Sequence, residues 1–205
     1  MYLTWYGQAS FKLQDKEVTV LLDPYSSRQA GLRGPNFKAE IIILADKQRN
    51  LQAKKVIKEG FLIDGPGEYE IKGVYILGQK NKDGKLVYQI EIDNLKIGYL
   101  GEISKPLSNE VLEKLNGIDI LLLPIGNKKE VISVAEAVEI IRSFEPKIVI
   151  PCCYNIPGLK IQADSLDKFL KEMGIKSFEP LDKLRLTKKE LPEETKVIIL
   201  KTAGL

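Results

Sequence analysis

Histidine is absent from all 205 residues of this chain. That absence removes Ser–His and Cys–His nucleophile pairs and every imidazole-based metal site from consideration. Cysteine is nearly absent as well, and the two residues present, Cys152 and Cys153, are adjacent. Neighbouring Cα atoms lie about 3.8 Å apart, closer than the roughly 4.4–6.8 Å of ordinary disulfides, so the pair reads as two free thiols in a reducing compartment. The longest apolar runs, IIILA at 41–45 and IDILLLPI at 118–125, fall well short of the roughly 20 residues of a membrane helix. The opening MYLTWYGQASFKLQD lacks a basic segment followed by a long apolar one. No secretory signal is expected, and a cytoplasmic protein is the simplest reading. Gly65, Pro66 and Gly67 have no Gly-Lys-Ser/Thr continuation and no helix entry, which excludes a phosphate loop.

A strong charge of either sign is missing too. The net charge is +3, from 31 basic and 28 acidic residues, too balanced to imply nucleic acid by itself. The distribution is less even. Between residues 28 and 58, Arg28, Arg33, Lys38, Lys47, Arg49, Lys54, Lys55 and Lys58 face only Glu40 and Asp46, a local excess of six positive charges. A solvated face accounts for such a run, since salt screens it beyond about 8 Å. Nucleic-acid contact stays open on the same residues.

What is present is ample core. With 44% apolar residues over 205 positions, the chain reads as one domain, 1–205, built from two similar halves of about 1–100 and 101–205. The first hundred residues read as strands: LTWYG, SFKLQ, EVTVLLD, EIIILA, GFLID, GVYIL, KLVYQIEID and LKIGYL are separated by Gly, Asp, Asn or Pro. NKDGK at 81–85 and DNLK at 93–96 read as hairpin connections. After Gly101 helical spacing appears, in 108–115 with Ser108 as N-cap, in 133–146 ending at Pro146, and in 163–173 ending at Gly174. Buried strands IDILLLP and KIVIP alternate with them, and short strands at 175–178 and 195–201 are expected to close the chain. The pattern predicts two packed sheets with helices outside.

Five segments in order, LTWYGQASFKL, VTVLLDPY, YLGEI, IDILLLPIG and EPKIVIPCCYN, resemble the metallo-β-lactamase superfamily, especially its small branch similar to ascorbate-phosphate lactonases. GPGEYEIKGV at 65–74 also looks like a segment of that branch. The resemblance spans about residues 1–158. It implies a four-layer αββα sandwich of mixed sheets with a zinc or manganese site at the sheet edges. In the family that site is carried by His-x-His-x-Asp-His, a third His, a bridging Asp and a last His.

Laid onto ADKQRNLQ at 45–52, the first motif falls on Asp46, Gln48, Asn50 and Leu51, with Lys47 and Arg49 between. Gln8 stands at the glycine-turn histidine, Glu102 at the bridging aspartate and Cys153 at the last histidine. The third histidine is expected within GQKNKD, 78–83, which has none. Catalytic zinc needs three nitrogen, sulfur or carboxylate ligands, and these positions do not supply them. Asp46 and Glu102 could hold at most a weak hard cation.

The expectation is therefore a fold member without a resident metal or cofactor that works by binding. Its occupant would be an anionic small molecule at Gln8, Lys47, Gln48, Arg49 and Asn50, or a protein partner, with a homo-oligomer also open. The alternative is a hydrolase with a rebuilt site, in which Asp46 and Glu102 act as acid and base and Cys153 as a nucleophile. Each of those three also has an ordinary reading: a turn-forming Asp, a salt-bridged Glu and a small buried Cys. Asp23 before Pro24 is expected to hold a turn through nearby amides, and Trp5 and Tyr6 to pack in the core or at a domain edge.

Overall fold

The structure is a computed structural model that describes residues 1–25, 31–46, 59–126, 130–160 and 162–203. Apolar residues shape the N-terminal part into β1 (Tyr2–Gly7), β2 (Ser10–Gln14), β3 (Thr19–Leu22), β4 (Ile41–Ile43) and β5 (Phe61–Ile63), alternating in the first strand and continuous in β3–β5. These strands form one mixed sheet in that order, and the late strand β12 (Leu184–Arg185) is added beside β1. The second sheet holds β6 (Gly67–Ile71), β7 (Val74–Lys80), β8 (Leu86–Ile92), β9 (Leu95–Tyr99), β10 (Ile120–Pro124), β11 (Ile148–Cys152) and β13 (Lys196–Val197), in the order β13-β11-β10-β9-β8-β7-β6.

The pleat sorts side chains between two faces. Val20, Leu22, Ile41 and Ile43 enter the main core together with Tyr88, Ile90, Ile97 and Tyr99 of the second sheet. The intervening Leu21, Ile42 and Leu44 form a separate cluster with Ala39, against Phe37 and Leu62. Every residue of β10 and β11 is buried, as expected of parallel strands covered on both faces. The described helices are α1 (Asn109–Lys114), α2 (Val134–Phe144) and α3 (Leu166–Glu172). Helix α2 packs on β10 and α3. It starts at a capping box in which Ser133 and Glu136 satisfy each other's main-chain groups. Two sheets with flanking helices match the expected sandwich. Among the described residues no helix is long and apolar enough to cross a membrane.

Both hairpin readings agree with the observed connections. The link from β8 to β9 is Asp93–Asn94, both at positive φ (52° and 60°), the conformation of a tight primed turn. Three details differ from the sequence reading. GEYEI forms β6 at a sheet edge, and Leu184–Arg185 pairs with β1, neither of which was expected. Residues 175–178, read as a strand, have no ladder partner. Their apolar side chains suit a strand, but the segment meets the sheet only at Leu181, opposite Leu200.

Candidate functional site

Strands β3, β4 and β5 run parallel in the first sheet, as do β9, β10 and β11 in the second. Parallel neighbours deliver their following loops to one edge, where open α/β sheets carry ligands. Those loops begin at Asp23, Ala45–Asp46, Asp64, Gly101–Glu102, Gly126 and Cys153.

Side chains tie the two sheets together there. Asp23, buried and at φ 36°, accepts the Ala45 N–H on Oδ1 at 2.9 Å. Its Oδ2 accepts the Tyr99 hydroxyl from the second sheet. That hydroxyl also lies 3.0 Å from Ala9 O, in the turn after β1. Tyr88 donates to Leu44 O at 2.9 Å, and Leu86 N–H to Ala45 O at 2.7 Å. Gly101 presses on the same spot: a Cβ there would stand 2.3 Å from Ala45 Cβ and 3.5 Å from Asp23 Oδ2. Asp23 therefore bonds an amide 22 residues away rather than only its own turn.

Gln8 sits at φ 48° in the turn after β1 and is buried. Its carbonyl accepts Trp5 Nε1 at 2.8 Å, while its own Nε2 has no hydrogen-bond partner among the described residues. Asp46 is half-buried at the end of the described loop. Lys47, Gln48, Arg49, Asn50 and Leu51 lie outside the described residues. Glu102 is half-buried, and its carbonyl accepts the Lys85 ammonium. Cys153 is buried at φ 62°, with its Sγ 3.7 Å from that of Cys152, and neither is in a disulfide. Trp5 is buried against Phe11 and Tyr154, as expected of a core residue.

The segment expected to carry the third histidine holds a polar clasp instead. Asn81 Nδ2 donates to Asp83 Oδ1 at 3.2 Å and to Lys105 O at 3.0 Å. Asp83 Oδ2 accepts Ser104 N–H at 2.6 Å and Ser104 Oγ at 3.2 Å. Lys85 Nζ reaches Glu130 O at 3.3 Å in addition to Glu102 O. The β7–β8 hairpin is thereby bolted to the loop after β9. Sequence reasoning missed this clasp and Tyr99. The only local signal was the Asp-Gly pair, which announces a turn and not its distant partners.

Phenols crowd this end of the molecule, and burial raises their pKa values. Tyr88 is raised by burial, with the nearby Asp23, Tyr69 and Asp64 adding to it. Tyr154 is raised by burial and by Cys152. Tyr25, whose hydroxyl donates to Tyr6 O, is pushed up to about 12 by burial.

Among the described residues no three His, Cys, Asp or Glu side chains group to hold an ion. The protein's own ammonium, Lys85, is already bound to the Glu102 loop.

The family model for the beta-lactamase superfamily domain matches residues 2–153. A UPF0173 protein of Pyrococcus furiosus is 26% identical over 203 residues, covering 84% of this chain and 90% of that protein. Among solved structures, a candidate zinc-dependent hydrolase of the metallo-β-lactamase superfamily from Thermotoga maritima is 30% identical, with a TM-score of 0.82 and 97% of each chain covered. Igni18, a metallo hydrolase from Ignicoccus hospitalis, shares the fold at TM-score 0.62 and 16% identity, over 91% of this chain and 99% of that one. Five motifs in order, two mixed sheets and a match over most of the chain agree: this chain belongs to the metallo-β-lactamase superfamily.

Proposed function

We propose that this protein is a degenerate member of the superfamily that acts by binding rather than by dinuclear zinc hydrolysis. The reading rests above all on the donor set. A chain with no histidine offers Leu51 at one family ligand position and two neutral amides, Gln48 and Asn50, at others. The family nucleophile is a water whose pKa the metal lowers from about 15.7 to about 7. Remaining side chains do not reproduce that effect. Lys47 and Arg49 place cations in the loop that would carry metal ligands, and Lys85 places another beside Glu102. Cationic groups of this kind suit a phosphate, a carboxylate or an acidic protein surface.

Two measurements test this. Protein purified without chelators and assayed for zinc and manganese should contain far less than one metal per chain. Stoichiometric metal that disappears in Asp46→Asn or Glu102→Gln would sink the proposal and favour the rebuilt hydrolase. That second reading has its own support: Asp46 and Glu102 follow Ala45 and Gly101, which touch, and the Thermotoga and Ignicoccus relatives are named as hydrolases. For binding, titration with inorganic pyrophosphate at low salt should give a saturable signal that Lys47→Ala with Arg49→Ala weakens. Identical titrations of variant and wild type would count against an anion site in this loop.

A further inference from the structure

The second sheet ends at β13, and the side of β13 away from β11 carries unused main-chain groups. Lys196 donates to Lys147 O at 3.0 Å and Ile198 to Val149 O at 2.9 Å, both toward β11. Alternation along the strand turns the N–H and C=O of the intervening Val197 outward. Ile199 faces outward as well. Its carbonyl accepts Leu181 N–H at 3.0 Å, and Leu181 O accepts Lys201 N–H at 2.8 Å, making one parallel bridge.

Continued backward by two residues, that ladder would place Glu179 to donate to Val197 O and accept from Ile199 N–H. Pro180 intervenes, and the segment leaves the sheet edge instead. Val197 N–H, Val197 C=O and Ile199 N–H then have no main-chain partner among the described residues. Ile199 is only 4% exposed, so its N–H is poorly served by water, a costly arrangement for a main-chain donor. Between the edge and the departing segment lies a groove of about 810 Å³, lined chiefly by Met173, Ile175, Phe178, Val197 and Ile199. Phe178 and Leu181 are among the few large apolar side chains left exposed. The opposite edge of the sheet contrasts with this one, because β6 displays Glu68 and Glu70, charges of the kind that discourage strand addition.

We propose that this groove receives an extended peptide segment of a partner protein as an added parallel strand on β13. The incoming main chain accepts from Val197 N–H and Ile199 N–H and donates to Val197 O, and an apolar side chain seats among Met173, Phe178 and Ile199. Donors and acceptors at strand spacing specify main chain, and apolar walls supply the side-chain pocket. A second copy of this chain does not suit the slot. Ile175, Phe178, Glu179 and Leu181 line its far side, so the strand edge is not laid open to the flat edge of a second sheet. No residue of the family site takes part.

The probe is a soluble synthetic peptide of alternating valine and threonine with terminal glutamates, titrated into the isotope-labelled full chain. Saturable shifts and slowed hydrogen exchange at Val197 and Ile199 are expected. Val197→Pro, tolerable at an edge, should weaken binding about tenfold through loss of a main-chain bond and of strand fit. Phe178→Ala, at an exposed position that leaves folding intact, should weaken it about fivefold by removing the apolar wall. Equal affinity for both variants, shifts confined to another face, or no saturation by about millimolar peptide would overturn the proposal. Self-association through Val197 without peptide would also overturn it, by assigning the groove to a second copy.

Discussion

At the residue scale, the junction of the two sheets depends on side chains too small or too ordinary to attract notice in a sequence. Gly101 combines a left-handed φ of +58° with a contact that admits no Cβ, since one would lie 2.3 Å from Ala45 Cβ. Gly101→Ala should therefore cost about 2 to 4 kcal/mol, the sum of overpacking and a disfavoured backbone. Urea unfolding would measure it. Adding Ala45→Gly should recover the overpacking part and leave the backbone part, so a double variant no more stable than the single one would refute this division. Asp23 was legible as a structural aspartate because it precedes proline. Tyr99 was not: an aromatic in a strand looks the same whether its hydroxyl meets water or a buried carboxylate from the other sheet.

At the scale of elements, periodicity served well wherever packing follows the local pattern. β8 and β9 are apolar-rich strands joined by a two-residue turn, and α2 opens on its capping box. It served poorly where a partner lies far along the chain. The 175–178 segment, Ile-Lys-Ser-Phe, has apolar ends that suit a strand but no ladder, and Leu184–Arg185 becomes a strand only because β1 has a free side. The clasp of the β7–β8 hairpin is another long-range feature. Asp83→Ala removes the acceptor of the Ser104 amide and hydroxyl and of the Lys85 amide. A loss of about 1 to 3 kcal/mol is expected for bonds to a charged acceptor. Amide exchange at Ser104 and Lys85 should accelerate ahead of exchange in β9. Unchanged protection at those two amides would show that the clasp does not hold the loop.

At the scale of the whole molecule, family membership was readable because motif order survives when motif residues do not. The chemistry of the site was less so, since Lys47 to Asn50 have no geometry in a sequence and lie outside the described residues. One global property follows from the buried phenols. Tyr25 titrates at about 12 when folded against 10.0 when free, and Tyr88 and Tyr154 are raised as well. The unfolded chain therefore releases these protons first. Stability contributed by the neutral phenols is complete below pH 10, and it declines as pH rises from there through about 12. Tyrosinate absorbance should show a late group that appears together with loss of tertiary signal. Full ionisation of all eight tyrosines near pH 10 in the folded state would contradict the burial described.

The paired thiols at the end of β11 carry a different implication. Cys152 and Cys153 are 0% and 2% exposed, with their sulfurs 3.7 Å apart. A thiol reagent meets them only when the sheet edge breathes. Their rate of labelling is a stopwatch built into the strand, timing how often the end of β11 stands ajar.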